Sequence, residues 1–111
     1  VRAMVIAMQA NMYDIRQKYP AMPSASGYID TVRTIERGAK SLGKPILLVQ
    51  GDEHELEIQG FAGTDYKRVP NVLRLQVMGA DYVHAIRVIV DPDSPGVFGF
   101  IPLIVPANGP M

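Results

Sequence analysis

Two short apolar runs with one helix-period segment between them constrain this chain more than any other feature. The first run, VRAMVIAMQ (residues 1–9), is apolar apart from Arg2 and Gln9. Such a run predicts a strand buried on both faces, the habit of parallel sheets. Val5 and Ile6 and the abrupt polar stop favour a strand over a short helix. In residues 27–42, Tyr28, Val32, Ile35, Ala39 and Leu42 recur at spacings of four, three, four and three, one helical stripe. Asp30, Arg33, Glu36, Arg37 and Lys40 fall mainly off it. Ser26 suits the N-cap, Gly43 the left-handed stop, and Pro45 forbids continuation. PILLVQ (residues 45–50) is then a second buried strand. Strand, helix, strand at these lengths is a βαβ unit with a right-handed crossover.

The link between the first strand and the helix, residues 10–25, contains Pro20 and Pro23 and reads as irregular, with one helical turn near Asp14–Lys18. After Gly51 the pattern changes. ELEIQ alternates, FAGTDYKRVP (residues 61–70) reads as a loop, and NVLRLQVMG places Leu73, Leu75 and Val77 on one face. DYVHAIRVIVDP places His84, Ile86, Val88 and Val90 on one face, with Gly79-Ala80-Asp81 as a hairpin before it. VFGFIPLIV supplies a last strand, which Pro102 confines to an edge or a bend, and residues 106–111 read as a frayed tail. The expected class is α/β: a βαβ unit over 1–50, then three or four antiparallel strands over 51–105.

With 111 residues there is room for one small domain. Eleven basic and eleven acidic residues balance, so nothing in the charge calls for nucleic acid or an anionic membrane. The absence of cysteine excludes disulfides, thiolate metal sites and Cys nucleophiles. No Gly-rich phosphate loop or nucleophile elbow is present. The chain opens inside an apolar run without an initiator Met, which reads as a piece of a longer protein.

Chemistry is expected where parallel strands end. If the two buried strands are neighbours, Gln9, Asn11, Asp52 and His54 converge on one edge. Three oxygen donors and one imidazole suit a divalent metal such as Mn, Fe or Zn. Asp52 and His54 share a side of an extended segment, Glu53 faces away towards solvent, and Gly51 permits the sharp turn. The bland alternative stands beside this one: Asp52 as a turn residue bonded to its own backbone, and His54 as a solvated loop histidine. His84 is expected as a half-buried histidine with one hydrogen bond, and Met4, Met8 and Met12 as core filling. Arg74 and Arg87 could meet across a hairpin and hold an anion.

VIAMQANMYD, a helix, KPILLVQGDEHELEI, NVLRLQVMG and DYVHAIRVIVDPDSPGVFGF, in that order, resemble the C-terminal part of calcineurin-like metallophosphoesterases over roughly Val1 to Phe100. The resemblance implies half of the family's β-sandwich flanked by helices. It also implies two divalent metals in the complete enzyme and a small phosphoester substrate. Gly51-Asp52-Glu53-His54 stands at the family's Gly-His-x-His position. By that match His54 is a metal ligand, Asp52 replaces the first histidine, and Gln9 takes the place of the strand-terminal histidine. The family's earlier Asp-x-His and Gly-Asn-His motifs do not occur in this chain. The isolated chain is therefore expected to be inactive and to carry no catalytic residue of its own. The alternative is a non-catalytic α/β domain that forms a homo-oligomer or binds a partner.

Overall fold

The computed structural model describes residues 1–13, 27–80 and 82–109. Its class is α/β: among these residues are one α-helix and six strands in two sheets. The expected helical turn near Asp14 and the Ser26 cap fall outside the described residues.

Strand β1 (Met4–Ala7) runs parallel to β2 (Ile46–Gln50), in register from Met4 opposite Ile46 to Ala7 opposite Val49. The helix α1 (Ile29–Leu42) joins them, which gives the expected βαβ unit. β1 departs from expectation in one respect. It is an edge strand, with Met4 39% and Val5 47% exposed, rather than one buried on both faces. β2 is the buried one, with Ile46, Leu47 and Leu48 all sealed from solvent.

The helix ends as its sequence dictates. Gly43 adopts φ 63°, and its N–H reaches the Ala39 carbonyl at 3.0 Å. Tyr28 occupies the N-cap and makes no side-chain cap bond. Val32 and Ala39 are fully buried, and Ile35 and Leu42 pack beside them. Glu36, expected off the stripe, is buried as well.

The largest correction concerns residues 57–76. FAGTDYKRVP is not a long loop. β3 (Glu57–Ala62) runs through Phe61, and β4 (Arg68–Gln76) starts before Val69, so only residues 63–67 turn. Tyr66 takes the left-handed conformation there, φ 70°. β4 is also not part of an antiparallel set. It pairs antiparallel with β3 but parallel with β2, giving the order β1-β2-β4-β3. The reason is burial: Val69 and Val72 belong to the helix-side core, while Leu75 is buried in alternate register with them. A strand apolar on both faces takes an interior position. Pro70 is tolerated because β2 pairs with β4 only from Val72 onward, and the β3 register is irregular between Gly60 and Ala62.

Met12, Phe61, Leu48 and Val72 centre the core between α1 and the sheet. Of the three methionines expected as core filling, Met12 is buried and Met8 packs against the core, while Met4 is exposed on the edge strand. β5 (Ala85–Val90) and β6 (Phe98–Leu103) form a separate antiparallel pair. Gly79 and Ala80 therefore lead from one sheet to another and do not close a hairpin between β4 and β5, and Asp81 lies outside the described residues. Arg74 and Arg87 stand on different sheets. His84 is half-buried and accepts one hydrogen bond, from the Val105 N–H. Pro106–Asn108, expected as part of a frayed tail, forms a 3-10 turn, tied down by the Asn108 amide donating to the Val83 carbonyl.

Candidate functional site

Three parallel strands end on the same edge, and each hands its chain to the site. Gly51 N–H donates to the Gln9 carbonyl and Val77 N–H to the Gln50 carbonyl, both at 3.0 Å. The segments after β1, β2 and β4 are thus laid side by side. The convergence expected of Gln9, Asn11 and Asp52 is present, and the strand-end segment after β4 adds a third wall.

The turn after β2 is strained. Glu53 N–H bonds back to the Gly51 carbonyl at 3.0 Å around Asp52, whose φ is 77°. This is a γ-turn of the rare positive-φ kind. His54 is also left-handed, φ 65°. The sharp turn thus falls on Asp52 and His54 rather than on the glycine. Two such residues together cost roughly 1–3 kcal/mol each, and surrounding contacts must hold them.

Asn11 supplies those contacts. Its backbone N–H donates to Asp52 Oδ2 at 3.2 Å, and its side-chain amide donates to Glu53 Oε1 at 3.2 Å. Its own Oδ1 accepts the Tyr13 N–H at 3.1 Å, so that oxygen is engaged within the chain. Glu53 is consequently half-buried against Asn11 and does not face away into solvent. Gln50 and Gln76 brace the turn from behind. Gln50 Nε2 donates to Gln76 Oε1 at 3.1 Å, and Gln76 Nε2 donates to the Glu55 carbonyl at 3.0 Å.

His54 leans on the third wall. A Cβ placed on Gly79 would lie 2.5 Å from His54 Cδ2, so only glycine leaves room for the imidazole. Met78, Leu56 and Tyr82 line the surrounding depression with it. Asp52 and His54 are exposed, and so is Gln9, which meets the turn through its backbone carbonyl. Among the described residues, no three His, Asp, Glu or Cys side chains gather to hold a metal ion. Two potential ligands two residues apart in sequence do not make a complete metal centre.

No protein-family model, curated protein or solved structure matches this chain.

Behind the turn, on the helix side of the sheet, lies a polar cavity of about 400 Å³ that includes Asn11, Tyr13, Glu53 and Arg74 in its wall. The Arg74 guanidinium sits 4.3 Å from the centre of the Tyr13 ring. Burial pushes the Tyr13 hydroxyl up to about 12, against the pull of Arg74, while it donates to the Ala62 carbonyl at 2.8 Å. Burial also lowers the Arg74 pKa, although a guanidinium keeps its charge. Sequence reasoning missed this cavity and the Gly79 seat. The visible signal was Arg74 on an otherwise apolar alternation, and it was misassigned to a hairpin with Arg87.

Proposed function

We propose that this chain forms the C-terminal wall of a metal-dependent phosphoesterase site, acting on a small phosphoester, and that it is inactive by itself. One observation carries the reading: the strained γ-turn that presents Asp52 and His54 on the edge where three parallel strands end. Strain of this kind persists where a constellation must be held, and strand-end edges of α/β sheets are where ligands bind. His54 is assigned to a divalent metal (Mn, Fe or Zn), Asp52 to the same or a second ion, and Gln9 to the rim. The described donor set is short of a full coordination sphere, so the remaining ligands must come from outside these residues.

The test has two parts. The 111-residue chain with added Mn should hydrolyse an aryl phosphate no faster than Mn alone; clear turnover overturns the proposal. Calorimetric Mn titration should show weak binding that falls at least about tenfold in His54→Ala. Equal affinity in both removes His54 from the site.

A second reading is favoured by the small sheet. Ile89, Ile101 and Leu103 share one face of β5 and β6 and are each more than 40% exposed. Contiguous exposed apolar side chains mark association surfaces. A non-catalytic domain that self-associates through this sheet should sediment as a concentration-dependent oligomer, and Ile101→Lys should return it to monomer. A monomer at high micromolar concentration excludes this reading.

A further inference from the structure

The cavity behind the turn has a charge arrangement that the strand-end residues do not explain. Arg74 spends two donor groups inside the protein: Nε on the Gly60 carbonyl at 3.1 Å and Nη2 on the Gln59 side-chain oxygen. Its Nη1 has no hydrogen-bond partner among the described residues, and none of their carboxylates lies within ion-pair distance of it. A guanidinium drawn out of water is costly unless an anion meets it. Stacking on Tyr13 holds the fork in one plane.

Glu53, Glu55 and Glu57 share the cavity wall, and Glu57 is linked to Arg74 through the Gln59 amide and attracts its charge. Glu53 is held by Asn11 and Glu57 by Gln59, while the Glu55 carboxylate has no partner among the described residues. Three carboxylates against one guanidinium leave the cavity with a net charge of −2. A simple oxyanion would be drawn to Arg74 and repelled by the glutamates. A simple cation would satisfy the glutamates and bring no oxyanion to the free edge of Arg74. A molecule bearing both charges meets the free edge of Arg74 and the carboxylates together.

We propose that this cavity binds a small zwitterion, its oxyanion on the free edge of Arg74 and its ammonium among Glu53, Glu55 and Glu57. The planar guanidinium fork fits a carboxylate or a phosphate monoester equally well. An amino acid and an aminoalkyl phosphate therefore share the required chemistry. This assignment needs no metal and stands or falls independently of the phosphoesterase reading.

Calorimetry on the full chain in EDTA decides it, with γ-aminobutyrate and 2-aminoethyl phosphate as the zwitterions. Acetate, ethyl phosphate and ethylammonium are the single-charge halves. At least one zwitterion should bind saturably and at least tenfold tighter than either of its halves, and the stronger of the two identifies the source of the oxyanion. Arg74→Gln should abolish binding. Glu55→Gln, at an exposed side chain with no internal bond among the described residues, should weaken the zwitterion several-fold and leave its oxyanion half bound at least as tightly. Saturable binding by neither zwitterion overturns the proposal. So does a half-ligand that binds as tightly as the whole, or a folded Arg74→Gln or Glu55→Gln protein that binds undiminished.

Discussion

Replacing Gly63 by alanine should cost far more than an alanine in a short turn ordinarily does. The added Cβ would lie 2.5 Å from Glu36 Oε1 and 2.6 Å from Glu36 Cδ, so the carboxylate must leave. In place, Glu36 Oε2 accepts both the Thr64 N–H and the Thr64 hydroxyl at 3.1 Å, and Oε1 accepts Lys40 Nζ at 3.2 Å. The hydroxyl can turn to water, but the half-buried Thr64 N–H has few alternatives. Losing hydrogen bonds to a charged acceptor puts the penalty at about 2–3 kcal/mol. At roughly 4 °C per kcal/mol for a domain of this size, the Tm should fall by about 8–12 °C. Glu36→Ala should cost a similar amount. Gly63 does not need a left-handed φ, so with Glu36 already gone its alanine should be neutral or stabilising by up to about 1 kcal/mol. Urea unfolding of the four proteins in this cycle reads the coupling, expected near 2 kcal/mol. Additive single costs would refute the reasoning. The pH dependence checks the same contact. The Thr64 N–H, with help from Lys40, holds the Glu36 carboxyl below its ordinary 4.5. Its contribution is therefore complete above pH 4.5 and lost as pH falls through the lower folded value. The stability gap between wild type and Glu36→Gln should be flat from neutral pH down to about 4.5 and shrink below it.

Asp52→Gly removes the carboxylate but suits φ 77°, so relief of about 1 kcal/mol should offset the lost Asn11 bond and leave the urea midpoint nearly unchanged. Asp52→Ala keeps the strain and should be about 1 kcal/mol less stable than the glycine variant; equal midpoints would show the turn to be unstrained. Gly79→Ala should displace the His54 ring, seen as a shift of its Cδ2–Hδ2 signal in NMR spectra; an unmoved signal would mean that the imidazole does not rest there. In a spectrophotometric titration at least one of the five tyrosines should ionise only near pH 12, and Tyr13→Phe should remove that late step. Because the folded value is raised above 10.0, the Tyr13 contribution to stability should be constant below pH 10 and decline as pH climbs towards 12.

The sequence spoke most clearly where one physical cause acted alone. The α1 stripe was legible because Val32 and Ala39 face a single surface, and its end because Gly43 has one role. β2 was legible because burial on both faces leaves no polar interruption. The strand-end edge followed from β1 and β2 being neighbours. What stayed hidden depended on pairing across the chain. Gly63, Asp65 and Lys67 look like an extended loop, yet Phe61 and Val69 are both buried by the hairpin they flank. Alternation in β4 gives no clue to whether its neighbour runs parallel or antiparallel. Glu36 looked like a solvated helix residue, because its partner Thr64 lies 28 positions away.

The strand order has a consequence for how the site comes into being. Among the described residues β1, α1 and β2 form one unit and the β3–β4 hairpin another, joined by the β2–β4 seam and by the Glu36–Thr64 and Tyr13–Ala62 bonds across it. The tether across that seam is the Gly51–His54 turn itself. Docking of the hairpin therefore adds the Gln76 and Gly79 wall to a turn that Asn11 holds from the other side, and undocking should free His54 while both halves keep their own hydrogen bonds. Under mild denaturant, exchange of the Val77 amide and relaxation of the His54 environment should report one shared opening event, ahead of global unfolding.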